Sequence, residues 1–505
     1  MRKLLLIAVL HAVCTYGQKI DPAALDALIE STRTSFSAPG VAVAIVKGDD
    51  VVYIKGFGLR RIGAAERVTP ETRMAIGSTT KAFTTAAMAI LVDEKKMDWD
   101  DPVRKHLPWF RLSDPLASEN VTMRDIVCHR TGLSRHDLFW YGTSWSRDEI
   151  IRRIGLVPLT QPFRSTYQYQ NIMFLTAGEI VGKLSGGTWE DFVSKRIFEP
   201  LGMRNSDFST RDVVKASDFA TPHVRETSGE VKPIAWKNID NIGPAGSINS
   251  SVRDMANWVR LHLAAGTFQG KRVISEKNLQ EMHSPQMVIK EDGPSRELNP
   301  ETAMSVYGLG WRLQDYRGRH MVSHGGAIDG FRAQVALLPR EKIGMVILTN
   351  LGQNNMPEAL RFGILDEILE LPKRDWNKLY KDTANKQTEE ARKRREEALA
   401  KRHKGTKPSR ELDAYAGNYE HPAYGTVQVS KEGETLAFAW GIGKAKLAHA
   451  QFDTFESPQG TGVLDGNTLQ FQLNPAGDVS VLEWQGMRFR KAPPAPPASA
   501  SGGRN

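Results

Sequence analysis

Cysteine is nearly missing from this chain, with two residues in 505. Cys14 sits in an amino-terminal stretch, Met1-Arg2-Lys3 followed by the apolar run Leu4 to Leu10 and the small-residue region Thr15-Tyr16-Gly17, which reads as a secretory signal peptide spanning 1–17. Its removal leaves Cys128 alone, so no internal disulfide can form. Export without disulfides suits a bacterial periplasm or exterior, where a large core supplies the stability. Cys128 follows Ile126 and Val127 and is read as a core residue rather than a nucleophile. Long apolar runs are also missing. Leu4 to Leu10 is too short to span a bilayer and no later segment is long enough, so no stable membrane anchor is expected. His11 and Val13 are poor neighbours for lipidation at Cys14.

A broad basic surface is likewise lacking, although the formal charge is +9. Residues 373–407 hold thirteen Lys or Arg against six Asp or Glu, and Arg2 with Lys3 completes the surplus. The rest is balanced, which argues against a nucleic-acid footprint. The surplus belongs to a connector, 373–411, whose stretch Glu389 to Ala400 lacks an apolar face and reads as a solvated helical linker.

Residues 20–372 have the make-up of a globular domain. Pro22 to Phe36 is amphipathic through Leu25, Leu28 and Ile29. Gly40 to Val46 and Val51 to Ile54 flank Gly48-Asp49-Asp50 as a hairpin; Phe331 to Leu338 and Ile343 to Asn350 form a second, followed by a helix through Leu360, Ile364 and Ile368. The expected fold is α+β: an antiparallel sheet covered by terminal helices, with a helical lobe inserted between its strands. Alternating runs at 426–430, 436–440, 469–473 and 479–484 predict a small β-barrel or curled sheet over 412–491. The tail 492–505 is Pro-, Ala- and Ser-rich and is read as disordered.

Three constellations carry chemistry. Ser78 and Lys81 precede Phe83, Ala86, Ala87, Ile90 and Leu91 at helical spacing, which places a helix start near Ser78 and both polar side chains on one turn. A lysine amine there can take a proton from a serine nucleophile. Ser-x-x-Lys alone also arises by chance at this length. Tyr169 and Asn171 flank one residue of an extended loop before the helical stretch Ile172 to Leu184. A nearby ammonium would lower the Tyr169 pKa and suit it to shuttle a proton; a packed aromatic beside a turn asparagine is the plainer reading. Ser323-His324-Gly325-Gly326-Ala327 precedes the strand from Phe331, where glycines permit close backbone approach and the Ala327 amide can face an oxyanion. His324 could meet a substrate carboxylate or assist proton transfer, or simply belong to a turn.

Taken together, Ser78-x-x-Lys81, Tyr169-x-Asn171 and His324-x-Gly326 resemble the serine β-lactamase and penicillin-binding-protein-like hydrolases, class C-like branch. His129-Arg130-Thr131-Gly132-Leu133, Pro200-Leu201-Gly202-Met203 and Ala245-Gly246-Ser247 are similar to that branch as well, and the resemblance covers roughly 20–370. It implies that Ser78 forms an acyl-enzyme, that Lys81 and Tyr169 share proton transfers and Asn171 positions Lys81, and that the Ser78 and Ala327 amides, next to Gly326, form the oxyanion hole, with no metal or other cofactor. Branch members with strong β-lactamase activity carry lysine where this chain has His324; histidine there is similar to related esterases and D-amino-acid peptidases. The expected substrates are esters, amides or D-amino-acid peptides, with β-lactamase or D,D-carboxypeptidase activity, or a penicillin- or muropeptide-binding role without turnover, as alternatives. Leu138-Phe139-Trp140-Tyr141 either faces substrate or packs locally. The region from Leu412 resembles the lipocalin-like domain of some of these hydrolases, through which oligomers can form.

Overall fold

The computed structural model describes residues 20–226, 228–460 and 462–493; the stretch 1–17 read as a signal peptide and the tail from 494 lie outside them. Helix α1, Pro22–Ser35, opens with Asp21 accepting from the Ala23 amide and Pro22 at its first position. Next come the strands β1 (Gly40–Lys47) and β2 (Asp50–Gly58) and, far along the chain, β3 (Met287–Val288), β4 (Ser305–Tyr307), β5 (Arg312–Tyr316), β6 (Arg319–Ile328), β7 (Phe331–Leu338) and β8 (Ile343–Thr349). They form one antiparallel eight-stranded sheet in the order β2-β1-β8-β7-β6-β5-β4-β3. Pairing of β1 with β8, from Val41 opposite Thr349 to Lys47 opposite Ile343, joins the first hairpin to the last. The 59–286 segment therefore leaves and re-enters the sheet as a helical lobe.

Side chains alternate between the two faces with period two. Val41, Val43, Ile45, Met345 and Ile347 meet α1 and the helix α5 (Met356–Ile368), while Ala42, Ala44, Val46, Val346 and Leu348 meet the lobe. In the lobe, α2 (Thr80–Asp93), α3 (Asn171–Ser185) and α4 (Val252–Leu263) pack around each other and the sheet. The apolar spacing after Lys81 predicts one buried face for α2, yet every residue from Thr80 to Leu91 is buried. Its small residues allow that: Thr84, Thr85, Ala86, Ala87 and Ala89 admit neighbours on all sides, and the Thr84 hydroxyl donates to Pro244 O at 2.6 Å.

The connector is one helix, α6 (Trp376–Ala400), and it is solvated only in part. Trp376 and Tyr380 are buried against α5 and the sheet, and the Trp376 indole donates to Asp366 Oδ2 at 2.7 Å. Its distal half is exposed and carries pairs such as Arg392 with Glu389 and Glu396. Eight strands between Gly417 and Lys491 then close into a barrel. Its alternation is the predicted one, with Val427, Val429, Phe438, Leu469, Phe471 and Leu482 inside.

The barrel touches the lobe through a defined seam. Ile442 N donates to Gly142 O at 2.8 Å, and a Cβ on Gly441 would stand 2.1 Å from that same oxygen. Tyr424 Oη meets His136 Nδ1 at 2.6 Å, and Arg153 Nη1 donates to Ala423 O at 3.1 Å.

Candidate active site

Ser78 lies in a single 3₁₀ turn, Gly77–Thr79, that runs directly into α2. The helix start thus falls where the sequence places it, and Lys81 comes back under Ser78. Lys81 is fully buried. Its Nζ stands 2.7 Å from Asn171 Oδ1, 2.7 Å from Ala245 O and 3.2 Å from Ser78 Oγ. Burial, with the Arg135 charge adding to it, drives the amine well below the ordinary lysine range, against a smaller opposing pull from Asp137. A neutral amine has two N–H groups and one lone pair. The two oxygens that can only accept take the two N–H groups, so the lone pair faces the Ser78 hydroxyl.

Asn171 is the first residue of α3, and its orientation is fixed from behind. Its Nδ2 donates to Asp137 Oδ1 at 2.8 Å, an oxygen that also accepts from the Trp140 indole at 2.8 Å. The amide oxygen must then face Lys81. Trp140 belongs to the stretch Leu138 to Tyr141 whose role the sequence leaves open, and Asp137, which the sequence reading did not single out, immediately precedes it. The structure divides that stretch: Phe139 is fully buried, whereas Leu138, Trp140 and Tyr141 line a cleft.

Tyr169 differs from expectation. It is hydrogen-bonded to Ser78, but burial pushes its phenol up to about 12, more than the Ser78 bond pulls it down. The lysine meant to lower it is itself held neutral, so Tyr169 is a phenol and a proton donor, not a phenolate. His129, from the His-Arg-Thr-Gly-Leu phrase, packs on its ring at 4.3 Å between centroids and accepts from Gln170 N at 3.0 Å.

The third constellation is not a turn before a strand; it lies inside β6. Beyond Ser323 the β5 edge ends, and the strand instead runs against the Ser78 turn. Only glycine fits at the crossing. A Cβ on Gly326 would stand 1.9 Å from Ile76 O and 3.2 Å from Ser78 N, and one on Gly77, whose φ is +51°, 2.7 Å from Ala327 N. Main-chain amides of Ser78 and Ala327 are thereby held beside the Ser78 hydroxyl, where negative charge develops on a carbonyl under attack.

His324 does not fill its expected role. It is buried, Nδ1 is 2.7 Å from Gly325 O and Nε2 is 2.9 Å from Tyr307 Oη. Nδ1 therefore donates to the carbonyl and Nε2 accepts from Tyr307. Burial above all lowers its pKa to about 3. Both nitrogens are engaged and the ring is neutral, which leaves nothing with which to shuttle protons or pair with a carboxylate. Tyr307, Asp137, Arg135 and His129 complete the surroundings. No spacing in the sequence links them to Ser78, since each arrives from a different segment.

Two cavities are lined by residues of this cluster. One, about 670 Å³, is bounded by Asp137, Trp140, Tyr141, Ala327 and Asp329 from the catalytic region and by Tyr424 and Met487 from the barrel. The other, about 430 Å³, begins at Tyr169 and His324 and runs under β6. Among the described residues no group of three or more His, Cys, Asp or Glu could hold a metal ion, and no helix is long and apolar enough to cross a membrane. Cys128 is buried with its thiol pushed up to about 12, which suits packing rather than nucleophilic attack.

Comparison with known proteins agrees with this geometry. Residues 25–370 match the family described as Beta-lactamase, and 401–494 match a domain of unknown function (DUF3471). The chain is 32% identical over 417 residues to the Unguisins hydrolase ungD' of Aspergillus campestris, covering 79% of this chain and 75% of the relative. Among solved structures, an octameric penicillin-binding protein homologue from Pyrococcus abyssi superposes with a TM-score of 0.63 at 22% identity, over 94% of this chain and all (100%) of that one. The D-amino acid amidase from Ochrobactrum anthropi SV3 superposes at 0.57 and 20% identity, over 69% of this chain and 98% of its own. With a family match over most of its length and the Ser78, Lys81 and Tyr169 cluster at the centre of that match, the chain belongs to the β-lactamase family and is a serine hydrolase.

Proposed function

We propose that the protein hydrolyses esters, amides or D-amino-acid-containing peptides through an acyl-enzyme on Ser78. The observation that carries this reading is the Lys81 environment, in which two acceptors occupy the N–H groups of a neutral amine and leave its lone pair for the Ser78 proton. As Ser78 Oγ attacks the carbonyl carbon, Lys81 takes the hydroxyl proton and the Ser78 and Ala327 amides stabilise the oxyanion. Tyr169, a phenol at neutral pH, donates toward the departing oxygen or nitrogen, and Lys81 returns the proton to it. Water then attacks the acyl-enzyme with the same groups acting in reverse.

Neutral His324 favours this substrate range over β-lactam antibiotics, because it gives the third motif no permanent charge. The hydrolase and amidase names of the relatives point the same way. Export is inferred from the segment 1–17, and amino-terminal sequencing of the secreted protein should then begin at Gln18.

Intact-mass spectrometry and turnover of a short activated ester test the mechanism together. Wild type should turn the ester over through a transient adduct on Ser78 and accumulate little penicillin adduct. A Ser78→Ala protein that hydrolyses as fast as wild type would refute the mechanism, and a lasting penicillin adduct would favour a binding role instead.

A further inference from the structure

Tyr424 reaches from the barrel to a segment that carries catalytic geometry. It stands in the turn between the strands Gly417–His421 and Gly425–Glu432 and is 2% exposed. Its own barrel fixes it: Tyr424 N donates to His421 Nδ1 at 3.2 Å, and the buried Trp440 indole donates to Tyr424 O at 2.8 Å. From that mount the phenol ring meets Phe139 edge-on at 4.7 Å between centroids, and Oη lies 2.6 Å from His136 Nδ1. Burial raises the Tyr424 phenol and, against a smaller pull from Asp137, lowers the His136 imidazole, so the contact joins two neutral groups.

His136 is held in an unusual state. Its φ is +45°, the left-handed region that a residue with a Cβ keeps only where surrounding contacts impose it. Both ring nitrogens are engaged, Nδ1 by Tyr424 and Nε2 by Ser134 Oγ at 2.8 Å. This residue turns the chain into the 3₁₀ turn Asp137–Phe139 and so sets where the Asp137 carboxylate stands.

Two routes lead from the segment to the start of α3. Ser134 O accepts from Gln170 Nε2 at 2.6 Å, while Gln170 Oε1 accepts from Ile172 N at 2.8 Å and caps the helix. Asp137 Oδ1 accepts from Asn171 Nδ2 at 2.8 Å, which leaves Asn171 Oδ1 facing Lys81 Nζ at 2.7 Å. Tyr169, Gln170 and Asn171 are consecutive, so a shift of residues 134–137 disturbs the proton donor and the lysine's acceptor together.

We propose that Tyr424 is a positioning residue for the hydrolysis: through His136 it locks residues 134–137, which hold Asn171 and thereby aim the Lys81 lone pair at Ser78. The barrel then belongs to the catalytic apparatus, although none of its residues needs to touch the reacting atoms. This inference rests on the hydrolase reading for its effect on rate and not for the coupling itself. Tyr424 also lines the 670 Å³ cleft, so positioning has to be separated from contact with substrate.

The test is steady-state hydrolysis of 4-nitrophenyl acetate, whose acetyl group is too small to fill that cleft. Tyr424→Phe keeps the ring on Phe139 and removes the hydroxyl; kcat should fall by about three- to tenfold, the worth of one hydrogen bond, with KM within about twofold of wild type. His136→Asn retains a residue tolerant of positive φ and loses the ring; it should cost about the same, and the double variant no more than either alone. In an Asp137→Ala background, where the link to Asn171 is already cut, Tyr424→Phe should cost less than about twofold. An unchanged kcat in Tyr424→Phe, a loss in KM alone, or an equal cost in both backgrounds would overturn the proposal. Hydrogen exchange read by mass spectrometry follows the same coupling without turnover. Tyr424→Phe should speed exchange in peptides covering 134–141 and 169–172, and unchanged protection there would also overturn it. That measurement decides the matter if Asp137→Ala does not fold, as melting by circular dichroism will tell. Faster exchange in a protein whose wild type hydrolyses no ester would refute the hydrolase reading and keep the coupling; ester turnover with unchanged exchange would do the reverse.

Discussion

Replacing Gly326 with alanine should cripple turnover while leaving the protein folded. The new Cβ would stand 1.9 Å from Ile76 O and 2.9 Å from Ile76 C, where ordinary contact begins near 3.4 Å. Both obstructing atoms are backbone, so no side chain can swing aside. Either β6 or the Ser78 turn must retreat by about 1.5 Å, a misplacement for which about a hundredfold in rate is ordinary. Since the same displacement pulls Ala327 N away from Ser78, loss of one oxyanion donor adds to it, and that alone costs about 10²–10³ in kcat. Gly325 is the internal control. A Cβ there meets Gln334 Oε1 at 3.4 Å and Ala333 O at 3.8 Å, an ordinary fit, so Gly325→Ala should lose less than about tenfold. The assay is steady-state hydrolysis of an activated ester, with thermal melting as the check on folding. A Gly326→Ala enzyme within threefold of wild-type kcat would show that the strand and the turn are not held in register as described.

Three further outcomes follow from the same geometry. Tyr169→Phe keeps the ring on His129 but removes the proton donor, so rates should fall by about 10²–10³ for amides and far less for activated esters; an equal loss for both would refute the assignment. Asp137→Asn keeps an acceptor for Asn171 while deleting a charge that raises the Lys81 pKa, so the acidic limb of the pH–rate profile should move to lower pH; an unmoved limb would exclude Lys81 as the base. Buried His324 and His262 are held below the ordinary value of 6.5, His324 at about 3. Their contribution to stability is present above pH 6.5 and lost as pH falls below it, for His324 down to about 3. Melting curves between pH 7 and 4 check this, and His262→Gln should flatten the decline.

Local pattern and short spacing made much of this legible in the sequence. An apolar run ending at the turn Pro339 to Lys342 marks Phe331 to Leu338, a period-two alternation marks the barrel strands, and three residues of helix bring Lys81 beneath Ser78 by geometry alone. Strands β3 to β6 were harder to see, because β3 and β4 are two or three residues long and β6 contains Gly325 and Gly326, which imitate a turn. Their reason for being in a strand is the Ser78 turn pressed against them from 250 residues away. Charge states were not legible at all. Lys81 is neutral, Tyr169 a phenol and His324 fixed in one tautomer because of burial and of partners, Ala245 O, Asp137 and Tyr307, that converge from separate segments. Sequence by itself determined the longer elements and the pairing of Ser78 with Lys81, since these depend on neighbours along the chain. Tertiary structure alone decided the protonation of these groups and the barrel's place at the cleft, since desolvation and charge pairing depend on neighbours in space.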